Sequence, residues 1–301
     1  VTGSGGTGEL YIGKTDDNYG IGENLTFNAA AEDNIAIGEN ALKSTSGAAL
    51  SNIAIGSEAL TLLTVGDNNI AIGKFAGDAT LDSSDHILIG TGAGSVGDIV
   101  HNGAVGIGHL ALNALTTGDG NTAVGYNAGT DISSGAFNTA FGYESLYTED
   151  VGYGTTAIGY RACYYQNSNT DDEVTGNTAL GYAALHTNVD GQFNTAVGYK
   201  SLYTSEPGTD NTGNNTALGY LAGALLSTGL DNTIIGSEAM SAGTITASNN
   251  TAVGRSSLKA LVSGSSNSAI GYQAGISLTT GGKNCTLGSK AGYSSTGDDN
   301  N

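Results

Sequence analysis

The sequence predicts an all-β chain wound as a parallel β-solenoid of about 16 coils with a 17-residue period, and three observations carry that expectation. A nine-residue phrase recurs, as NTAVGYNAG at 121–129, NTAFGYESL at 138–146 and NTAVGYKSL at 194–202. Most copies follow the last by 17 or 18 residues. The chain also has 49 Gly, 1 Pro and no Trp in 301 residues, with 12% charged, too apolar for a disordered chain and too Gly-rich for packed helices. A unit this short cannot hold a helix pair or a propeller blade. It fits one coil of two or three strands of four or five residues each, stacked on the next at about 4.8 Å. Sixteen coils would make a rod of roughly 75 Å at that spacing.

The opening, VTGSGGTGEL YIGKTDD, is Gly-rich and irregular, with a partial unit at LYIG, and residues 1–17 are read as an N-terminal linker or cap. The repeat domain spans 18–292. Its motif glycine stands at Gly22, Gly38, Gly56, Gly73, Gly90, Gly108, Gly125, Gly142, Gly159, Gly181, Gly198, Gly219, Gly236, Gly254, Gly271 and Gly288. A glycine in every coil marks a tight corner or a close backbone approach that a Cβ would block. Four residues earlier stands Asn in 13 of 16 copies: Asn18, Asn34, Asn52, Asn69, Asn121, Asn138, Asn177, Asn194, Asn215, Asn232, Asn250, Asn267 and Asn284. Stacked Asn side chains can tolerate corner backbone angles and hydrogen-bond from coil to coil as a ladder. His86, Ala104 and Thr155 depart from it. The copy at 102–112, NGAVGIGHLAL, carries two further residues and is expected to bulge.

Directly before the glycine stands an apolar residue in every copy, and two before it usually Ala. Alternating strand geometry sends these to opposite faces, so both faces are apolar. One fills the coil; the other needs a partner, for which the small Ala and Gly face suits close approach. Three copies about a common axis satisfy that requirement, so a homotrimer is expected. Three before the glycine, Ile or Val in the early copies gives way to Thr from Thr122 onward, read as half-buried strand Thr.

The slot after the glycine holds Tyr126, Tyr143, Tyr160, Tyr182, Tyr199 and Tyr220 in succession, where other copies carry Glu23, Lys74 or Arg255. Such a solvent-facing column is a candidate glycan contact or a self-stacking ladder. Asp and Asn cluster in turns at 64–69, 116–121 and 230–232. Calcium is conceivable there, but neither a GGxGxD repeat nor an EF-hand loop occurs, turn chemistry explains the residues, and no cofactor is expected. His86, His101, His109 and His186 show no paired spacing, no G-x-S-x-G elbow occurs, and no catalytic residue or enzyme activity is expected. Cys163 and Cys285 replace a motif Leu and Thr and are read as small buried fillers.

Twenty-eight acidic residues against nine basic ones, a formal charge of -19, repel phosphate, which argues against nucleic acid and anionic membrane as partners. No run of about 18 apolar residues offers a membrane span. The chain opens on Val1 and ends DDNN, with Asn301 where the next ladder Asn falls, so 293–301 is read as the start of a further coil in a longer protein. Insertions lengthen two steps, Gly159 to Gly181 to 22 residues and Gly198 to Gly219 to 21, and the loops at 163–177 and 203–214 are expected surface contacts.

The NTAVGYNAG and NIAIGENAL units resemble the head repeats of trimeric autotransporter adhesins and the repeats of phage tail fibres, over nearly the whole chain. That resemblance implies a left-handed β-roll and a trimer. The unit is longer than the adhesin repeat and no anchor is visible, so it implies a rigid virion tail-fibre shaft, extracellular, supporting attachment to a host-surface glycan or protein receptor. A bacterial cell-surface adhesin head, or a glycan-binding or depolymerase spike, stays open.

Overall fold

The structure, a computed structural model, describes residues 11–15, 17–168, 174–205 and 213–294. They fall into two units, Val1–Val151 and Gly152–Asn301. In the first unit lie β1 (Tyr11–Thr15), β2 (Asn18–Gly22), β3 (Ile35–Ile37), β4 (Ile53–Ile55), β5 (Ile70–Ile72), β6 (Ile87–Ile89), β7 (Val105–Ile107), β8 (Thr122–Val124) and β9 (Thr139–Phe141). In the second lie β10 (Thr156–Ile158), β11 (Thr178–Leu180), β12 (Thr195–Val197), β13 (Thr216–Leu218), β14 (Thr233–Ile235), β15 (Thr251–Val253), β16 (Ser268–Ile270) and β17 (Cys285–Leu287). From β2 onward each unit is a parallel β-solenoid with one strand per coil. Equivalent motif residues pair directly, as in Ile53 with Ile70 and Thr195 with Thr216.

The coil differs from expectation in having one strand of three residues instead of two or three longer ones. The backbone after the motif glycine explains this. The second residue beyond it has positive φ in coil after coil, at Asn40 (57°), Glu58 (62°) and Lys200 (50°). So does the fourth, at Leu42 (48°), Leu60 (48°) and Gly77 (58°). A chain passing twice through the left-handed region cannot continue as strand. The turns still stack, through inter-coil bonds such as the Asn40 N–H to the Glu23 carbonyl (3.0 Å) and the Leu42 N–H to the Ala59 carbonyl (3.1 Å).

The bulge expected at 102–112 is absent. Val105–Ile107 pairs in register with β6 on one side and β8 on the other. Asn102 and Gly103 belong to the preceding turn, where the Asn102 Oδ1 accepts from the Ser84 N–H (2.8 Å). The described part of 1–17 is the hairpin strand β1, antiparallel to β2, so its YIG is not a solenoid coil. Residues 295–301 of the expected further coil lie outside the described residues.

The core is built from the inward strand Ala, the Ala or Ser three after the glycine and the Leu four after it, with Ala36, Ala41 and Leu42 fully buried. Leu and Gly share the last slot for a packing reason. Where the strand Ala is replaced by Leu88, the slots beside it are Gly77 and Gly94, and a Cβ on either would lie 2.9 or 3.0 Å from a Leu88 methyl. Ile234 stands to Gly223 in the same way, at 2.8 Å. Bulk moves between slots while the interior stays filled.

Candidate functional site

Asparagine forms the inner rail of each unit. In Asn34, Asn52 and Asn69 the backbone N–H and the side-chain Nδ2 both donate to the Oδ1 of the preceding ladder Asn at 2.8 to 3.0 Å. The same Nδ2 also reaches a carbonyl further along its own coil, such as Asn52 to Gly66 (2.8 Å). The pattern recurs through Asn215, Asn232, Asn250, Asn267 and Asn284. Asn138 and Asn194 take the backbone bond from Asn121 and Asn177. Where Thr155 is too short to serve, Gln166 fills in. Its Nε2 donates to the Thr155 Oγ1 (2.6 Å), and its Oε1 accepts from the Asn177 Nδ2 (2.9 Å).

Every ladder bond is buried, so losing one residue strands several polar groups at once. Asn232→Ala would strand the Asn250 N–H and the Ala247 carbonyl and take one of its two bonds from the Asn250 Nδ2. It is expected to lower unfolding stability by about 3 kcal/mol, read from the denaturant midpoint. An unchanged midpoint would show the ladder to be ornamental.

The two strand faces are assigned opposite to the expectation about the interface. The Ala and Gly face is interior: Ala36, Ala54, Ala71, Ala123 and Ala196 have no exposure. The coil's own Leu and Ala side chains fill that space, leaving no room for a second chain. The outward face carries the aliphatics. In β3 to β7 both outward positions are β-branched: Ile35 and Ile37, Ile53 and Ile55, Ile70 and Ile72, Ile87 and Ile89, Val105 and Ile107. They stand in register and half-exposed, with Ile37 at 38%. Five strands of two columns make an aliphatic patch on the order of 300 Å², in the range of functional patches on single chains. From β8 to β15 the first column turns to Thr, half-buried except at the exposed Thr216, and ends in the exposed Ser268 and Cys285, while the second stays apolar through Phe141 in the first unit and Leu180, Leu218 and Ile270 in the second.

Beside the sheet stand stacked rings. Within the first unit His109, Tyr126 and Tyr143 stack at 5.0 Å between centroids. Within the second, Tyr160, Tyr182, Tyr199 and Tyr220 stack at 4.8 to 5.5 Å. Interplanar angles of 17° or less mean that neighbouring rings cover each other's faces, so the stacks present ring edges and hydroxyls to solvent. A second column, unrecognised in the sequence, runs through Tyr164, His186 and Tyr203 at 5.4 and 4.9 Å. All three lie five residues after a motif glycine, but the mixture of Tyr and His hides the regularity. Arg161 sits over Tyr160 and Tyr164, and Lys200 over Tyr199 and Tyr203, so cations line the strip between the two columns. Burial, then the charges of Arg161 and Lys200, hold the His186 imidazole below its usual range.

The turn acids are engaged in coil-to-coil bonds. The Asp67 Oδ1 accepts from the Leu50 N–H (2.8 Å), and the Asp85 Oδ1 from the Asn68 Nδ2 (3.2 Å). Among the described residues no three His, Cys, Asp or Glu side chains gather as metal ligands. Nor is any described helix long and apolar enough to cross a membrane. Cys163 is buried as expected, but Cys285 is exposed, because it occupies an outward strand position on β17. The tips of the two inserted loops, 169–173 and 206–212, lie outside the described residues. No protein family, no curated protein and no solved structure matches this chain.

Proposed function

We propose that the chain is the structural shaft of an extracellular attachment fibre, of the phage tail-fibre kind, in which three copies associate through the outward aliphatic face. The observation that carries this reading is the outward column before the motif glycine, apolar in every coil from Ile21 to Leu287. A single chain in water gains nothing from the part-exposed row of apolar side chains that each unit carries, whereas association removes it from solvent at roughly 25 cal/mol per Å². The likeness of the repeat to fibre and adhesin units supports the same reading. Continuous coil-to-coil hydrogen bonding and nearest-neighbour packing provide the stiffness a spacer needs. The surface of such a shaft is acidic and repels phosphate, which suits a spacer more than a nucleic-acid binder. No catalytic step or cofactor is proposed.

A double charge substitution tests the face. Ile55→Lys with Ile72→Lys places two ammonium groups in the patch while leaving the buried Ala54 and Ala71 in place. It is expected to reduce the solution mass to that of one chain while preserving the β-sheet circular dichroism. An assembly that survives both lysines would rule the face out as the interface.

A further inference from the structure

The second aromatic column ends abruptly. Tyr203 has His186 stacked on one side at 4.9 Å. On its other side the equivalent residue is Ala224, held on the next coil by the Thr204 N–H to Ala224 carbonyl bond (3.2 Å), and beyond it Ser241. The rung after Tyr203 holds no ring. In its place is a pocket of about 290 Å³ lined by Lys200, Tyr203, Leu221, Ala224, Leu225 and Ser241.

We propose that this vacant rung binds one planar aromatic ring carrying an anionic group, an aromatic carboxylate in chemical class. The column dictates the shape, since the space is what a Tyr or His ring occupies in the preceding coils, and Tyr203 lines it together with the Lys200 ammonium that lies over its ring. The volume lies at the lower end of small-molecule pockets and admits one ring. The lining dictates polarity. Four of its six side chains are Tyr203, Leu221, Ala224 and Leu225, so a sugar ring hydroxylated around its rim would leave most of its polar groups unpaired. The charge comes from Lys200, whose Nζ lies 4.9 Å from the Tyr203 centroid. Glu238, which holds the Lys200 slot two coils on, is bound to the Lys259 Nζ at 2.5 Å and does not neutralise it. The site belongs to a single chain and is independent of the trimer.

The test is fluorine NMR of 4-fluorobenzoate titrated into the whole chain. Saturable binding is expected, with a Kd on the order of 1 mM for so small a ligand. Ala224→Tyr completes the column with the residue found in the same slot at Tyr164 and Tyr203, and is expected to abolish binding with the circular dichroism unchanged. Lys200→Met should weaken binding about threefold, as for an exposed ion pair. It should also leave 4-fluorobenzyl alcohol binding as it does to the unaltered chain. Full binding in Ala224→Tyr, or no saturation by the unaltered chain, would overturn the proposal. A change of solution mass in Ala224→Tyr would instead seat a neighbouring copy in the rung, which also overturns it.

Discussion

Gly73→Ala is expected to destabilise the solenoid by at least about 3 kcal/mol, more than the same change at Gly288. Gly73 has φ +137°, and a Cβ there would lie 2.5 Å from the Gly90 carbonyl oxygen and 2.6 Å from its carbon. Both obstacles are backbone, and that backbone belongs to the next coil, so relief requires two coils to part along their paired strands. Gly288 has a similar φ of +121° but nothing within 4 Å of its Cβ. Alanine at Gly288 therefore meets backbone strain alone, about 1 to 3 kcal/mol. Equilibrium unfolding of the two variants separates strain from collision. Equal losses would mean that close stacking is not why each coil carries this glycine.

Acidification is expected to destabilise the chain through His86. This residue takes the place of a ladder Asn, fully buried, with its N–H donating to the Asn69 Oδ1 at 3.0 Å. Its Nδ1 accepts the Ala104 N–H (3.2 Å), so the ring proton of the neutral form sits on Nε2, 2.8 Å from the Ser83 Oγ. A second ring proton would point at the Ala104 N–H. Burial lowers the His86 pKa from 6.5 to about 4, opposed in part by the charge of Asp85. The unfolded chain therefore binds this proton first as pH falls. The stability held at neutral pH is lost from about pH 6.5 down to about 4, a loss approaching about 3 kcal/mol. His86→Asn restores the ladder residue and removes the titration. The difference in unfolding free energy between the two proteins should be flat above pH 7 and widen below pH 6. A constant difference across that range would refute the buried-imidazole account.

The period, the ladder and the corner glycine are legible in the sequence because each depends on one residue type contacting its own copy a coil away. Asn52 bonds Asn34, and Gly73 abuts Gly90, so a change at either disturbs two coils. The short strand is not legible. Residues such as Leu42 and Glu58 have no preference for positive φ, and their values of 48° and 62° are imposed by burial and inter-coil bonding. The inward face is misread for a related reason. A small residue such as Ala36 signals close packing without saying whether the neighbour is the same chain or another, and here it is the Leu and Ala of its own coil. The second aromatic column escapes notice because His186 interrupts the identity of Tyr164 and Tyr203 without interrupting the stack.

The proposed association of three chains through the outward aliphatic face is tested most directly by the solution mass of the unmodified protein, measured by light scattering and checked by sedimentation over a range of concentrations. The expected result is three times the 29.9 kDa chain mass, stable on dilution. A mass of one chain at every concentration would contradict it and leave the outward apolar residues of both units facing water.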